Sequence, residues 1–191
     1  VLLFDEFPEF SRVSIEALRQ PLETRSVTIA RAKETAQYPA HFIFVATANP
    51  CPCGNYGTAK PCRCMPHHVT QYRKKLSGPI LDRIDLYVDV HSVEHRRLLA
   101  DTPLQDSDYT TKNAQKQVAA AHALQAVRFA EDSKRNADMT NKDIKAHAFL
   151  TDAAKNLLDA ASAKFDLSAR AYMRCVKVAR TIADLDESST I

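Results

Sequence analysis

The sequence predicts an α/β protein in two parts: a parallel sheet with an inserted β-hairpin and a cysteine-rich loop, followed by an all-α part. Three observations carry this. Two short uninterrupted apolar runs, Val1 to Phe4 and Phe42 to Ala46, have the composition of strands in a covered parallel sheet. Between them, Arg25 to Pro39 alternates through Val27, Ile29 and Tyr38 around a polar tip at Ala32 to Glu34, which is a hairpin pattern. After His91 the apolar period becomes three and four residues, the period of helices. The expected division is 1–92 for the α/β part and 93–191 for the helical part.

Each element follows from local pattern. Ser11 to Gln20 reads as a helix with Val13, Ala17 and Leu18 on one face and a stop near Pro21. Ile84 to Val90 alternates Leu86, Val88 and Val90 with Asp85, Tyr87 and Asp89, and is expected to be a third strand with one wetter side. Tyr109 to Ala130 spaces Ala114, Val118, Ala121, Leu124 and Val127 as one amphipathic helix. Thr140, Thr151 and Ser168 stand at N-cap positions ahead of segments containing Ile144, Leu157 with Leu158, and Val176 with Val178. Residues 101–108 read as a linker.

With 191 residues, 45% hydrophobic and 26% charged, the chain is long enough for one large or two small domains with their own cores. The first apolar run ends at Asp5 and Glu6, so neither a signal peptide nor a membrane span is expected, and the protein reads as soluble and cytoplasmic with no membrane partner. A chain that opens inside a strand without an initiator methionine reads as a fragment. Net charge is only +3, but from Thr35 to Leu81 there is no Asp or Glu, while Lys60, Arg63, Arg73, Lys74 and Lys75 lie there beside His67 and His68. That stretch suits a polyanion such as DNA; equally, it suits a buried strand flanked by ordinary solvated side chains. Cysteines in a reducing compartment argue for metal over disulfides when clustered, as four of the five are. Cys175 stands apart on a helical pattern and reads as a small core residue.

The chemistry-bearing residues sit at the ends of the apolar runs. VLLFDE closes a strand with adjacent carboxylates, the arrangement in which Asp5 holds Mg²⁺ through its water shell and Glu6 orients or deprotonates a water attacking ATP. Thr47-Ala48-Asn49-Pro50 places an amide at the tip of the second strand, where Asn49 either meets the γ-phosphate and its attacking water or caps a turn. In SGPILDRIDL, Arg83 follows a Ser-Gly-Pro turn and either reaches a neighbouring subunit's nucleotide or pairs with Asp82 or Asp85. Arg170 lies in the first turn of the last helix, where a lid arginine contacts the γ-phosphate; Arg174 and Arg180 are its competitors. Cys51, Cys53, Cys62 and Cys64 form C-x-C-x8-C-x-C, four thiolates from one loop, favouring Zn²⁺ over free thiols, with His67 or His68 able to replace a ligand. Gly54 and Gly57 are there to supply tight turns.

DEFPEF, QPLETRSVTIARA, ANPCPCG, LSGPILDRIDL and LSARAYMRCVKVARTIADL resemble, in order, the signature stretches of the ComM (YifB-type) magnesium-chelatase-like AAA+ family, over nearly the whole chain. The resemblance implies a partial P-loop AAA+ sheet and an all-α lid domain. It also implies that Asp5 and Glu6 are the Walker B pair, Asn49 sensor 1, Arg83 the arginine finger and Arg170 the sensor 2 arginine. It further implies an ATPase dependent on ATP and Mg²⁺, a hexameric ring, and DNA branch migration as the work performed. Hairpins before sensor 1 in related rings point into the channel, which adds Arg31 and Lys33 to the expected DNA contacts. No G-x-x-x-x-G-K-[ST] loop occurs in the sequence, so the 191 residues alone are expected not to hydrolyse ATP. Two alternatives stand beside this: a magnesium-chelatase-type subunit driving metal insertion into a porphyrin, and a degenerate, non-catalytic AAA+ binding module.

Overall fold

The computed structural model describes residues 1–31, 34–90 and 110–191. They divide into two compact units, Val1–Ile84 and Asp85–Ile191.

In the first unit, β1 (Leu2–Phe4) and β4 (Phe44–Ala46) pair in parallel, with Leu2 opposite Phe44 and Phe4 opposite Ala46. Leu2, Phe4 and Phe44 pack against a core of Phe7, Ile15, Leu18 and Ile80. The opposite face is not covered: Leu3 is 64% and Val45 44% exposed. Among the described residues the helical core covers one face of this two-stranded pair. β2 (Ser26–Ala30) and β3 (Thr35–Pro39) form a separate antiparallel pair, in register from Ser26 opposite Pro39 to Ala30 opposite Thr35. Arg31 and Glu34 extend it by exchanging backbone hydrogen bonds of 2.8 and 3.2 Å. Ala32 and Lys33, two of the residues expected at the tip, lie outside the described residues.

Helix α1 (Arg12–Ala17) starts at Ser11, whose hydroxyl accepts from the Ser14 amide. Ile15 is fully buried and Leu18 nearly so, whereas Val13 is 81% exposed. The core-facing stripe is thus Ile15 and Leu18, three residues apart, and the expected stripe through Val13 and Ala17 faces solvent. Pro21 does not stop the chain: it stands in the first turn of α2 (Arg19–Thr24), where a missing N–H costs no helical hydrogen bond. The stop comes at Arg25, in a left-handed conformation. Two further helices, α3 (Pro66–Lys74) and α4 (Gly78–Leu81), complete the unit.

The expected third strand is not formed. Described residues 84–90 are irregular, with Leu86, Val88 and Val90 exposed at 68, 81 and 89%. Alternation makes a strand only where a neighbouring ladder takes up the backbone groups, and no described strand pairs with this segment.

The second unit is helical: α5 (Thr111–Phe129), α6 (Asn141–His147), α7 (Asp152–Phe165) and α8 (Ala169–Leu185). The Thr140, Thr151 and Ser168 hydroxyls each accept from the backbone amide three residues on, at 3.2, 3.2 and 3.1 Å. Met139, Ile144, Ala148 and Val176 form the apolar core, with Leu158 packed against it. Leu157 instead faces solvent, and so does Cys175, which corrects its reading as a core residue: adjacent Val176 takes the inward position on α8. On α5 the buried positions are Ala121 and Gln125, while Val127 is 84% exposed. The helix is turned toward a polar network: the Gln125 carbonyl oxygen accepts from the Asn136 amide, and the Asn136 side chain donates to buried Asp184.

Candidate nucleotide site and metal centre

The parallel register brings the ends of β1 and β4 side by side, and this assembles the acidic site. The Thr47 amide donates to the Phe4 carbonyl at 2.9 Å, and the Phe7 amide to the Thr47 carbonyl at 2.8 Å. Between those two bonds the chain turns sharply at Glu6, whose φ of 51° is left-handed. The Thr47 hydroxyl accepts from the Glu6 amide at 2.9 Å and donates to Asp5 Oδ1 at 2.6 Å. Asn49 Nδ2 lies 3.5 Å from Glu6 Oε1. Asp5, Glu6 and Asn49 therefore meet at one exposed edge, two carboxylates and a carboxamide, suited to a hydrated divalent cation and a water molecule.

The cysteine loop begins immediately beyond Asn49. The four Sγ atoms of Cys51, Cys53, Cys62 and Cys64 lie within 4.8 Å of one another, with Cys51 to Cys53 at 3.4, Cys51 to Cys62 at 3.7 and Cys53 to Cys62 at 3.6 Å. Tetrahedral zinc with Zn–S bonds of about 2.3 Å needs sulfur atoms about 3.8 Å apart. The spacing and the all-thiol donor set fit that ion. Gly54 and Gly57 take left-handed φ values of 75° and 79°. The Cys51 sulfur accepts from the Tyr56 amide at 3.3 Å. Backbone amides of Asn55 and Arg63, aimed at the Cys53 sulfur, lower its thiol to about 6, while the contact with Cys53 and then burial push the Cys64 thiol up to about 12. Without a cation the cluster therefore favours one thiolate beside protonated neighbours, and the fit to zinc rests on the sulfur spacing. His67 and His68 do not belong to this cluster; their rings lie against each other in the first turn of α3, tilted by 57° with centroids 4.0 Å apart.

Helix α3 leads out of the cluster and back to the acidic edge. Arg73 donates to the Pro50 carbonyl at 3.4 Å and lies over the Tyr56 ring, 4.9 Å from its centroid. Lys75 pairs with Glu9 at 3.2 Å. Two of the basic side chains expected on DNA are thus engaged within the unit. Lys60, Arg63 and Lys74 make no side-chain hydrogen bond or ion pair among the described residues, and Arg31 sits at the end of β2.

Arg83 follows α4. Its guanidinium donates to the Glu23 carboxylate and to the Pro79 carbonyl, and its side chain is only 10% exposed. The expected pairing partners, Asp82 and Asp85, are not used: Asp85 pairs with Arg174 at 2.8 Å. Glu23 prevails because α2 and the turn before α4 pack on the same core, which brings residues 60 apart in sequence together. In the second unit Arg170 stands exposed in the first turn of α8, while Arg180 is 1% exposed and bound to Asp184 and to the Ser188 and Ser189 carbonyls.

The family described as magnesium chelatase, subunit ChlI, matches residues 1–98, and its C-terminal counterpart matches residues 108–191. The chain belongs to this family. Among curated relatives it is similar to competence protein ComM of Haemophilus influenzae, with 40% identity, and to the uncharacterized protein YifB of Salmonella typhimurium and of Escherichia coli, with 35 and 36% identity. These similarities cover the whole chain but 36% of the length of each relative. It is thus a magnesium-chelatase-like chain of the ComM and YifB type.

Several residues of this ChlI-family site escape a reading of the sequence. Thr47 carries a signal that was there to use, since it lies two residues before Asn49 and so on the same side of a strand end. Glu23, Tyr56 and the inward role of Arg73 carry none, because each depends on a contact across the fold. No helix among the described residues is long and apolar enough to cross a membrane.

Proposed function

We propose that this chain supplies the hydrolytic edge of a AAA+ ATPase that works on DNA. The observation carrying the proposal is the meeting of Asp5, Glu6 and Asn49, joined through Thr47, at the ends of two parallel strands. In this reading Asp5 holds Mg²⁺ through water, Glu6 activates the attacking water, and Asn49 senses the γ-phosphate. Arg83 acts on a neighbouring subunit's nucleotide in a hexameric ring, and Arg170 of the helical unit serves as the lid arginine. Bound Mg²⁺·ATP supplies the phosphoryl group and charge neutralisation. The test uses a cytoplasmically expressed protein joining this chain to a phosphate-binding loop. Glu6→Gln should keep ATP binding and lower turnover by about 10²- to 10⁴-fold; turnover at the parental rate overturns the reading.

DNA is the partner that best suits Arg31, Lys33, Lys60, Arg63, Arg73, Lys74 and Lys75; of these, Arg73 and Lys75 also hold the α3 region to the unit, through the Pro50 carbonyl and an exposed pair with Glu9. The name of the Haemophilus relative, a competence protein, supports a nucleic-acid role. Porphyrin metal insertion is the second reading, favoured by the family's description, and DNA-stimulated ATP turnover separates the two. Cys51, Cys53, Cys62 and Cys64 are proposed to hold one structural Zn²⁺, which would fix the loop between Asn49 and α3.

A further inference from the structure

We propose that Thr47 is a positioning residue for the metal-binding carboxylate: its hydroxyl fixes the Asp5 rotamer and the Glu6 turn together. The proposal rests on the ATPase reading above and deepens it.

A threonine hydroxyl has one proton to give and lone pairs to accept with. Here the proton goes to Asp5 Oδ1 at 2.6 Å, and a lone pair takes the Glu6 amide at 2.9 Å. One hydroxyl therefore ties together the consecutive residues whose side chains must do different work. Asp5 Oδ2 has no hydrogen bond among the described residues, so it is the oxygen left to face a hydrated cation. In water an exposed hydroxyl–carboxylate bond alone would hold little. Thr47 differs because its own backbone is clamped on both sides, N–H to Phe4 and C=O from Phe7. Its Cβ cannot drift, so the cost of aiming the hydroxyl is met by the parallel ladder before any nucleotide arrives.

The turn needs this anchor. Glu6 is a non-glycine residue with φ 51°, a left-handed conformation that an L side chain adopts only when its surroundings hold it. The Glu6 amide donates to the Thr47 hydroxyl and to no other described group, so removing the hydroxyl frees the turn and the carboxylate at once. Valine is the isosteric replacement that keeps the β-branch and loses both bonds; serine restores the oxygen without the methyl.

The experiment compares Thr47→Val, Thr47→Ser and Glu6→Gln in the protein joining this chain to a phosphate-binding loop. Mn²⁺ affinity with a non-hydrolysable ATP analogue is read by electron paramagnetic resonance, alongside kcat and KM for ATP. Thr47→Val should weaken Mn²⁺ binding and lower kcat by about 10-fold, the low end of what losing the partner of a directly bound metal ligand costs, because Asp5 holds the ion through water. KM for ATP should change little, and Thr47→Ser should return both values close to the parent. In the 191-residue chain itself, hydrogen exchange of the Glu6 amide should speed up in Thr47→Val and slow again in Thr47→Ser. Parental Mn²⁺ affinity in Thr47→Val, or a Thr47→Ser protein as impaired as Thr47→Val, overturns the proposal. Parental turnover by Glu6→Gln would instead overturn the ATPase reading, so the two failures are distinguishable.

Discussion

Asp184 shows how much one side chain can organise in the helical unit. It is fully buried and accepts from Arg128 at 2.7 and 2.5 Å, from Asn136 at 2.7 Å and from Arg180 at 3.1 Å. Burial alone would raise its carboxyl pKa; the hydrogen bonds and charges of Arg128, Asn136 and Arg180 outweigh that and hold it below the usual range. A lowered folded value means that its contribution to stability is present above the unfolded pKa, about 3.9, and is lost as pH falls through the folded one. Asp184→Ala leaves the buried Arg180 guanidinium and the part-buried Arg128 guanidinium without their carboxylate and should cost about 3–5 kcal/mol in urea unfolding at neutral pH. A loss under about 1 kcal/mol would show that the network is solvated and not structural. Little of this was legible in the sequence. Arg180 and Asp184 are four apart on a helix, but Arg128 and Asn136 arrive from other segments. Glu23 and Arg83 teach the same: local spacing pointed to Asp82 or Asp85, and the partner lay 60 residues away.

At the scale of elements, whatever depends on a few consecutive residues could be read in advance. The caps at Thr140, Thr151 and Ser168 are local chemistry, as is the pairing of the runs that became β2 and β3. The Thr140 cap is reciprocal: the Asp143 carboxylate accepts from the Thr140 amide at 2.8 Å and from Lys134 at 3.0 Å, and these hold its carboxyl well below the usual range. Thr140→Ala should therefore cost about 1 kcal/mol in thermal or urea unfolding, undiminished down to pH 4, because Asp143 remains charged there. Helix phase was less legible, since which stripe of α1 or α5 turns inward depends on what it meets. The cysteine loop lies between these cases, its ligand count visible in the sequence and its convergence only in the structure. One zinc per chain is the expected result of elemental analysis, abolished by Cys53→Ser with Cys62→Ser. Chelation should speed amide exchange in α3 far more than in α1, because α3 follows Cys64 directly. A metal-free chain with four freely titrating thiols would remove the centre from consideration.

For the whole molecule, the apolar period changes after His91, and the described residues hold an α/β unit, Val1–Ile84, and a largely helical one, Asp85–Ile191. The expected third strand is not formed because a strand is a property of a sheet and not of a segment; residues 84–90 have the alternation without a ladder to join among the described residues. Arg83 lies just before that segment. In the single chain its guanidinium rests on Glu23 and the Pro79 carbonyl, so a purely structural arginine and a finger parked on a carboxylate look alike. They differ in what their partners' loss does. If Arg83 serves only to hold Glu23 and the Pro79 carbonyl, then Arg83→Ala and Glu23→Gln both break the ion pair and should both impair the ring-forming protein. If Arg83 crosses to a neighbour's nucleotide, Arg83→Ala should leave ATP binding intact and cut hydrolysis by about a thousandfold, while Glu23→Gln keeps turnover at or above the parental rate. Mixing Arg83→Ala with Glu6→Gln subunits should then recover activity, because some interfaces pair an intact Glu6 with a neighbour's intact Arg83. Equal defects in the two single variants, with no recovery in verified mixed rings, would assign Arg83 to holding α2 against α4 in its own chain.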